Sequence, residues 1–328
     1  MDKLDKITVS APGKLILMGE HSVVYGHPCL VTSVAQYLTI SVLKIPQKKL
    51  VLNSCCVDVE NYHKPISDLT MGDVPIGARF VETAVRNFFQ AYPDDFGISV
   101  ETVRHIGHTY GFGSSSAVTV CIIYALSELS GLKLNRKKLF DLSFKTVTDV
   151  QHAGSGFDIA SAIWGGSLYY VTGGKIIEPL NIPDLPLVVG YTGVKADTCT
   201  LIKQVAEKRK NESDKVSRIF AAITQLVDEA IIYLKKGDYQ RAGRLFDFNQ
   251  DYLRNLGVST QKLEDLISAA KKAGATGAKL SGAGGGDCMI AITPDHKKQA
   301  VADAITGAGG IVIDVKTNAE GVRIENDR

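Results

Sequence analysis

Four glycines fall within five residues, Gly282-Ala-Gly-Gly-Gly286, between the strand-like runs 277–280 and 288–293. Glycine loses more backbone freedom on ordering than any other residue, so a loop this rich usually has a close-approach task. An elaborate hairpin turn is the plainer alternative. Two more segments share the small-residue character. Gly111-Phe-Gly-Ser-Ser-Ser-Ala117 opens a helix that Gly131 ends, and Ser10-Ala-Pro-Gly-Lys-Leu-Ile-Leu-Met-Gly-Glu-His-Ser-Val-Val-Tyr-Gly26 embeds Lys14, Glu20 and His21 among apolar and turn residues.

A helix mouth lined with small residues offers free N–H groups to phosphate, and Ser114, Ser115 and Ser116 can add hydroxyl donors or a ligand to Mg²⁺. Two familiar nucleotide loops fail on spacing. The dinucleotide fingerprint requires Gly or Ala where Ser116 stands, one residue before Ala117. The Gly-Lys pairs Gly13-Lys14 and Gly174-Lys175 are followed by Leu15 and Ile176, where a Walker A loop needs Ser or Thr. A nucleotide bound here uses a different loop architecture.

At 328 residues the chain is long enough for two lobes of about 100–200 residues each. Strand-like and hairpin patterns fill residues 7–43 and 50–59, followed by a helix over 75–92, a strand over 98–103 and a helix over 136–150. A turn at 154–156, a short helix over 158–164 and strands at 167–171 and 187–191 complete this half. Helical periods then dominate (197–210, 214–236, 238–255, 260–273), before the two strands around the glycine run, a helix near 295–307 and a last strand near 311–315. The lobe boundary therefore falls near residues 180–195, giving lobes of 1–185 and 186–328, with no internal repeat and no Pro-rich linker.

A formal net charge of +2 excludes the basic field that holds a nucleic-acid backbone. The six cysteines lack metal-ligand spacing and read as reduced thiols. His105 and His108 are spaced i, i+3 with no third ligand. The N-terminus has no apolar leader, and no stretch reaches the ~20 apolar residues of a membrane span. A soluble cytoplasmic protein is expected, with a small-molecule substrate, no nucleic acid and no membrane; a homodimer is left open.

Taken in order, the three glycine-bearing segments resemble the GHMP kinase superfamily over nearly the whole chain. The segment from Ala11 to Gly26, with Glu20-His21, looks most like mevalonate kinase. Gly154-Ser-Gly-Phe-Asp-Ile-Ala160 and Gly284-Gly-Gly-Asp-Cys288 are similar to phosphomevalonate kinase versions of these motifs. The resemblance implies an α+β fold of two lobes: an N-terminal mixed sheet with helices and a left-handed β-α-β unit, and a ferredoxin-like C-terminal lobe. It implies ATP- and Mg²⁺-dependent phosphoryl transfer to the 5-hydroxyl of mevalonate, in isoprenoid precursor synthesis. A phosphomevalonate kinase and a non-catalytic metabolite-binding protein of the same fold are the alternatives.

Carried over position by position, the resemblance makes Asp158 the catalytic base and Lys14 its cationic partner. Gly111, Gly113, Ser114, Ser115, Ser116 and Ala117 would wrap the ATP phosphates, with Ser115 on Mg²⁺. Gly282, Gly284 and Gly285 would close from the second lobe, and Glu20, His21, Thr192 and Lys195 would line the acceptor pocket. Mevalonate kinases usually place a Glu, a second Mg²⁺ ligand, eleven residues before the catalytic Asp. Val147 stands there, and Asp149 is the candidate substitute or else a solvated helix acid.

Overall fold

The computed structural model describes residues 5–54, 59–104, 110–152 and 154–325. His105, His108, Cys55 and Cys56 lie outside the described residues.

Two long strands, β1 (Lys6–Met18) and β2 (Pro28–Ile45), pair antiparallel from Lys6↔Leu43 to Met18↔Leu30. The register shifts between Pro12 and Gly13, where a proline without an N–H is tolerated. The next residue is Lys14. β3 (Lys49–Ser54) and β4 (Val59–Pro65) form a hairpin, α1 (Arg79–Ala91) crosses over, and β5 (Gly97–Arg104) returns beside β3 as the one parallel pairing among the described strands. β5 also pairs β2, so the sheet is mixed.

Three helices pack behind it: α2 (Ser114–Leu129), α3 (Arg136–Gln151) and α4 (Phe157–Trp164). Buried residues run from Ser116 to Leu129 of α2, as expected of a helix covered by α1, α3, α4 and β1. β6 (Ser167–Val171) pairs β2, and β7 (Ile176–Leu180) pairs β6. β7 was not expected from the sequence.

β8 (Leu187–Tyr191) opens the second sheet. Four helices follow, α5 (Thr198–Asn211), α6 (Ser213–Lys235), α7 (Tyr239–Leu256) and α8 (Gln261–Lys272), then β9 (Gly277–Ser281), β10 (Cys288–Ile292), α9 (Lys298–Gly307) and β11 (Ile311–Ile313). The sheet order is β11-β8-β10-β9 with every pair antiparallel. In chain order that is 4-1-3-2, the ferredoxin-like arrangement, with extra helices in its first crossover.

The chain end crosses back: Thr317 bridges Val34, Glu320 bridges Gly165, and β12 (Arg323–Ile324) pairs β1. Residues 317–324 thus join the sheet of β1 and β2. No helix among the described residues is long and apolar enough to cross a membrane.

Candidate active site

The shift at Pro12/Gly13 brings β1 beside the loop that opens α2. Lys14 donates its backbone N–H to Phe112 O at 3.1 Å and its Nζ to Gly111 O at 2.9 Å. Gly113 caps α2 with φ +84°, where an L side chain is strained, and its carbonyl takes the N–H groups of Ser116 and Ala117. Ser114 and Ser115 precede those bonds, so their N–H groups are available to an anion. A methyl group on Gly113 would lie 3.4 Å from Lys14 Cε and 3.6 Å from Asp158 Cβ. Asp158 stands in the first turn of α4, and Lys14 Nζ lies 5.5 Å from the ring centroid of its neighbour Phe157. Three separate segments thus converge on one glycine.

The second lobe closes this cleft. His21, at φ 60°, is buried and its Nε2 hydrogen-bonds Ala283 O at 2.8 Å. Burial lowers its pKa below the ordinary value, and the Ala283 carbonyl opposes the shift. The neutral ring therefore carries its proton on Nε2. Glu20 is placed otherwise than expected. It is 1 % exposed, paired with Lys279 and accepting from Asn249 Nδ2 at 3.1 Å, so its carboxylate joins the lobes instead of facing an acceptor.

The glycine run also divides. Gly282 faces open space, but side chains on Gly284, Gly285 and Gly286 would meet Val258, Leu201 and Val194, respectively. Gly285 N–H donates to Val258 O at 2.8 Å, which takes that donor away from phosphate. These three glycines are explained by packing within their own lobe. Thr192 is buried, with Oγ1 donating to Val194 O at 3.1 Å, while Lys195 is exposed.

Asp287, absent from the sequence-based site, is 8 % exposed at the end of the run. Its Oδ1 accepts from Ala196 N–H at 3.0 Å, and a methyl on Gly111 would lie 2.6 Å from its Oδ2. Burial raises its pKa, against the lowering by Ala196 N–H, Lys14 and Lys195. Nearby, the Tyr110 and Tyr191 rings meet edge-on at 5.2 Å and Cys288 Sγ donates to Tyr110 O at 3.2 Å. The only acid beside a glycine run was the available signal for Asp287. Lys279, three residues before that run, had none beyond its position.

Asp149 does not join this cluster. Its Oδ2 accepts from Lys145 Nζ at 2.6 Å, Asn87 Nδ2 at 2.9 Å and Arg86 at 3.3 Å. Hydrogen bonds and charges from these partners hold its pKa low, outweighing the opposing, largest effect of burial. A carboxylate so engaged with cations is unsuited to a metal. The remaining candidate fits Mg²⁺ better: half-buried Ser115, whose hydroxyl is a hard oxygen donor at the helix mouth. No group of three or more His, Cys, Asp or Glu that could hold a metal ion occurs among the described residues.

Residues 79–166 match the GHMP kinases N terminal domain and residues 230–311 the GHMP kinases C terminal family. A mevalonate kinase of Pyrococcus horikoshii is 38 % identical, covering 97 % of this chain and 98 % of its own. The chain belongs to the GHMP kinase family. Among solved structures, the Lin0012 protein from Listeria innocua superposes with a TM-score of 0.85 at 25 % identity, over 98 % of this chain and 100 % of that one. The Methanococcus jannaschii mevalonate kinase gives a TM-score of 0.80 at 22 % identity, over 96 % and 98 %, which speaks for the fold. As a GHMP kinase the protein is a small-molecule phosphotransferase with ATP as substrate.

Proposed function

We propose that this GHMP kinase is an ATP-dependent mevalonate kinase acting in the cytoplasm. The observation that carries the reading is the convergence of Lys14 and Asp158 on Gly113 at the mouth of α2. A kinase acting on an alcohol must hold the phosphates, neutralise their charge and orient the hydroxyl for in-line attack. In this reading the N–H groups and hydroxyls of Ser114, Ser115 and Ser116 cradle the phosphates. Asp158 accepts the proton of the 5-hydroxyl as the new O–P bond forms and the bond to ADP breaks. Lys14, anchored on Gly111 O, supplies positive charge between base and phosphate. Ser115 would hold Mg²⁺, which when bound neutralises phosphate charge. His21, Thr192 and Lys195 stay with the acceptor side, Lys195 as the cation for its carboxylate.

A phosphorylated acceptor calls for Arg-rich, often bidentate recognition. Of the arginines outside the three segments, Arg86 is held by Thr70, Asn87 and Asp149, while Arg79 and Arg218 each give Nε to a backbone carbonyl, Val74 O and Asp214 O. This favours mevalonate over phosphomevalonate. The relatives named mevalonate kinase, covering nearly all of this chain, favour it too. The test is ADP release with mevalonate, phosphomevalonate, galactose and homoserine. Highest kcat/KM for mevalonate is expected; preference for phosphomevalonate, or no transfer to any alcohol, rejects the reading.

A further inference from the structure

Asp287 is an L-residue held at φ +51°, in a loop where Gly284 at +80° and Gly285 at +71° adopt the same half of conformational space. Glycine would sit there without strain, so a side chain kept in that conformation points to a task. The backbone of Asp287 already ties two strand ends together: Thr192 N–H donates to its carbonyl at 2.9 Å, and its N–H donates to Val194 O at 2.8 Å. Neither bond needs the carboxylate. The carboxylate adds one bond of its own, Oδ1 accepting from Ala196 N–H, while its Oδ2 fills the space that a Cβ on Gly111 would need. One side chain therefore binds the segment 192–196, which carries Thr192 and Lys195, and occupies the space beside Gly111 in the loop that opens α2.

We propose that Asp287 is a positioning residue for phosphoryl transfer, latching segment 192–196 to the loop at Gly111 so that acceptor and phosphate are held at one separation. The proposal rests on the kinase reading, in which that segment faces the acceptor. Small displacements between reacting groups cost orders of magnitude in rate, so a latch remote from the transferred atoms can matter greatly. The working part is the accepting oxygen at Ala196, which Asn retains and Gly lacks.

The experiment compares Asp287→Gly and Asp287→Asn in the full chain by three measurements: amide hydrogen exchange over residues 192–196 without substrate, Tm, and kcat and KM for mevalonate. Asp287→Gly is expected to keep or raise Tm, because the strain is gone, yet to speed exchange at Ala196 and lower kcat/KM by about 10–100-fold, the size of a hydrogen bond to a charged group. Asp287→Asn is expected to restore protection at Ala196 and most of the lost kcat/KM. Unchanged exchange in Asp287→Gly, a kcat/KM within about threefold of wild type, or no rescue by Asn overturns the latch. A wild-type protein inactive on mevalonate would reject the substrate reading instead, and exchange at Ala196 would still judge the latch.

Discussion

Glu20 and Lys279 form an ion pair between the lobes, with side chains only 1 % and 0 % exposed. Both charges have left water, which is costly unless every remaining polar atom is engaged. Asn249 donates to Glu20, and Lys279 also donates to Leu280 O. Burial lowers the pKa of Lys279, and the Glu20 carboxylate opposes that shift. The pair therefore holds register between the first-lobe strand end and β9 more than it adds net stability.

Removing one partner leaves a buried charge alone. Lys279→Met should lower unfolding free energy by about 3–5 kcal/mol, read from urea denaturation, and the double variant Glu20→Leu/Lys279→Met should recover most of the loss. A single-variant loss below about 1 kcal/mol would mean that Glu20 finds water and the pair is not sealed.

Much of the fold was legible because local signals agree. α3, α5, α7 and α8 start where Asn135, Asp197, Asp238 and Thr260 accept a backbone N–H, so period and cap coincide. β7 and β12 were not legible. β7 is five residues with a proline and exposed positions, and β12 is two residues ordered by pairing with β1, so neither carries a pattern of its own. In the site, Lys14, Gly113 and Asp158 lay in recognisable loops. The partner of Glu20 lies 259 residues away, a distance no spacing rule reaches. The engagement of Asp149 was half legible, since Lys145 precedes it at i, i+4.

Asp158→Asn should leave the fold and ATP binding intact while removing the acceptor of the hydroxyl proton. A fall of about 10²–10⁴-fold in kcat is expected for loss of a general base. Single-turnover phosphoryl transfer within about threefold of wild type would remove Asp158 from that role.

His21 links stability to pH. Its folded pKa lies below the unfolded value of 6.5, so the unfolded chain binds more protons between the two. The contribution of the neutral ring is full above pH 6.5 and is lost as pH falls through the lowered folded value. Asn tolerates the left-handed backbone at this position. In His21→Asn, unfolding free energy measured between about pH 7.5 and 5 should fall less than in wild type. Some slope will remain, because His27 is shifted down by burial and by Arg209. Identical slopes in the two proteins would show that His21 titrates normally in the fold.

Gly111 and Asp287 should couple energetically. A methyl on Gly111 would press on Asp287 Oδ2 at 2.6 Å, and φ +72° strains any L-residue there. The backbone strain costs roughly 1–2 kcal/mol whatever stands opposite. The collision, by contrast, exists only while the Asp287 side chain is present. Gly111→Ala should therefore reduce both Tm and kcat/KM, and in the Asp287→Gly background the same substitution should cost less. Residues in contact commonly show coupling of about 0.5–3 kcal/mol in a double-mutant cycle, against near-additivity for distant sites. Measured by denaturation of all four proteins, additivity would mean that the carboxylate turns away from Gly111 in solution, and a smaller cost in the Asp287→Gly background would place it within reach of the added methyl.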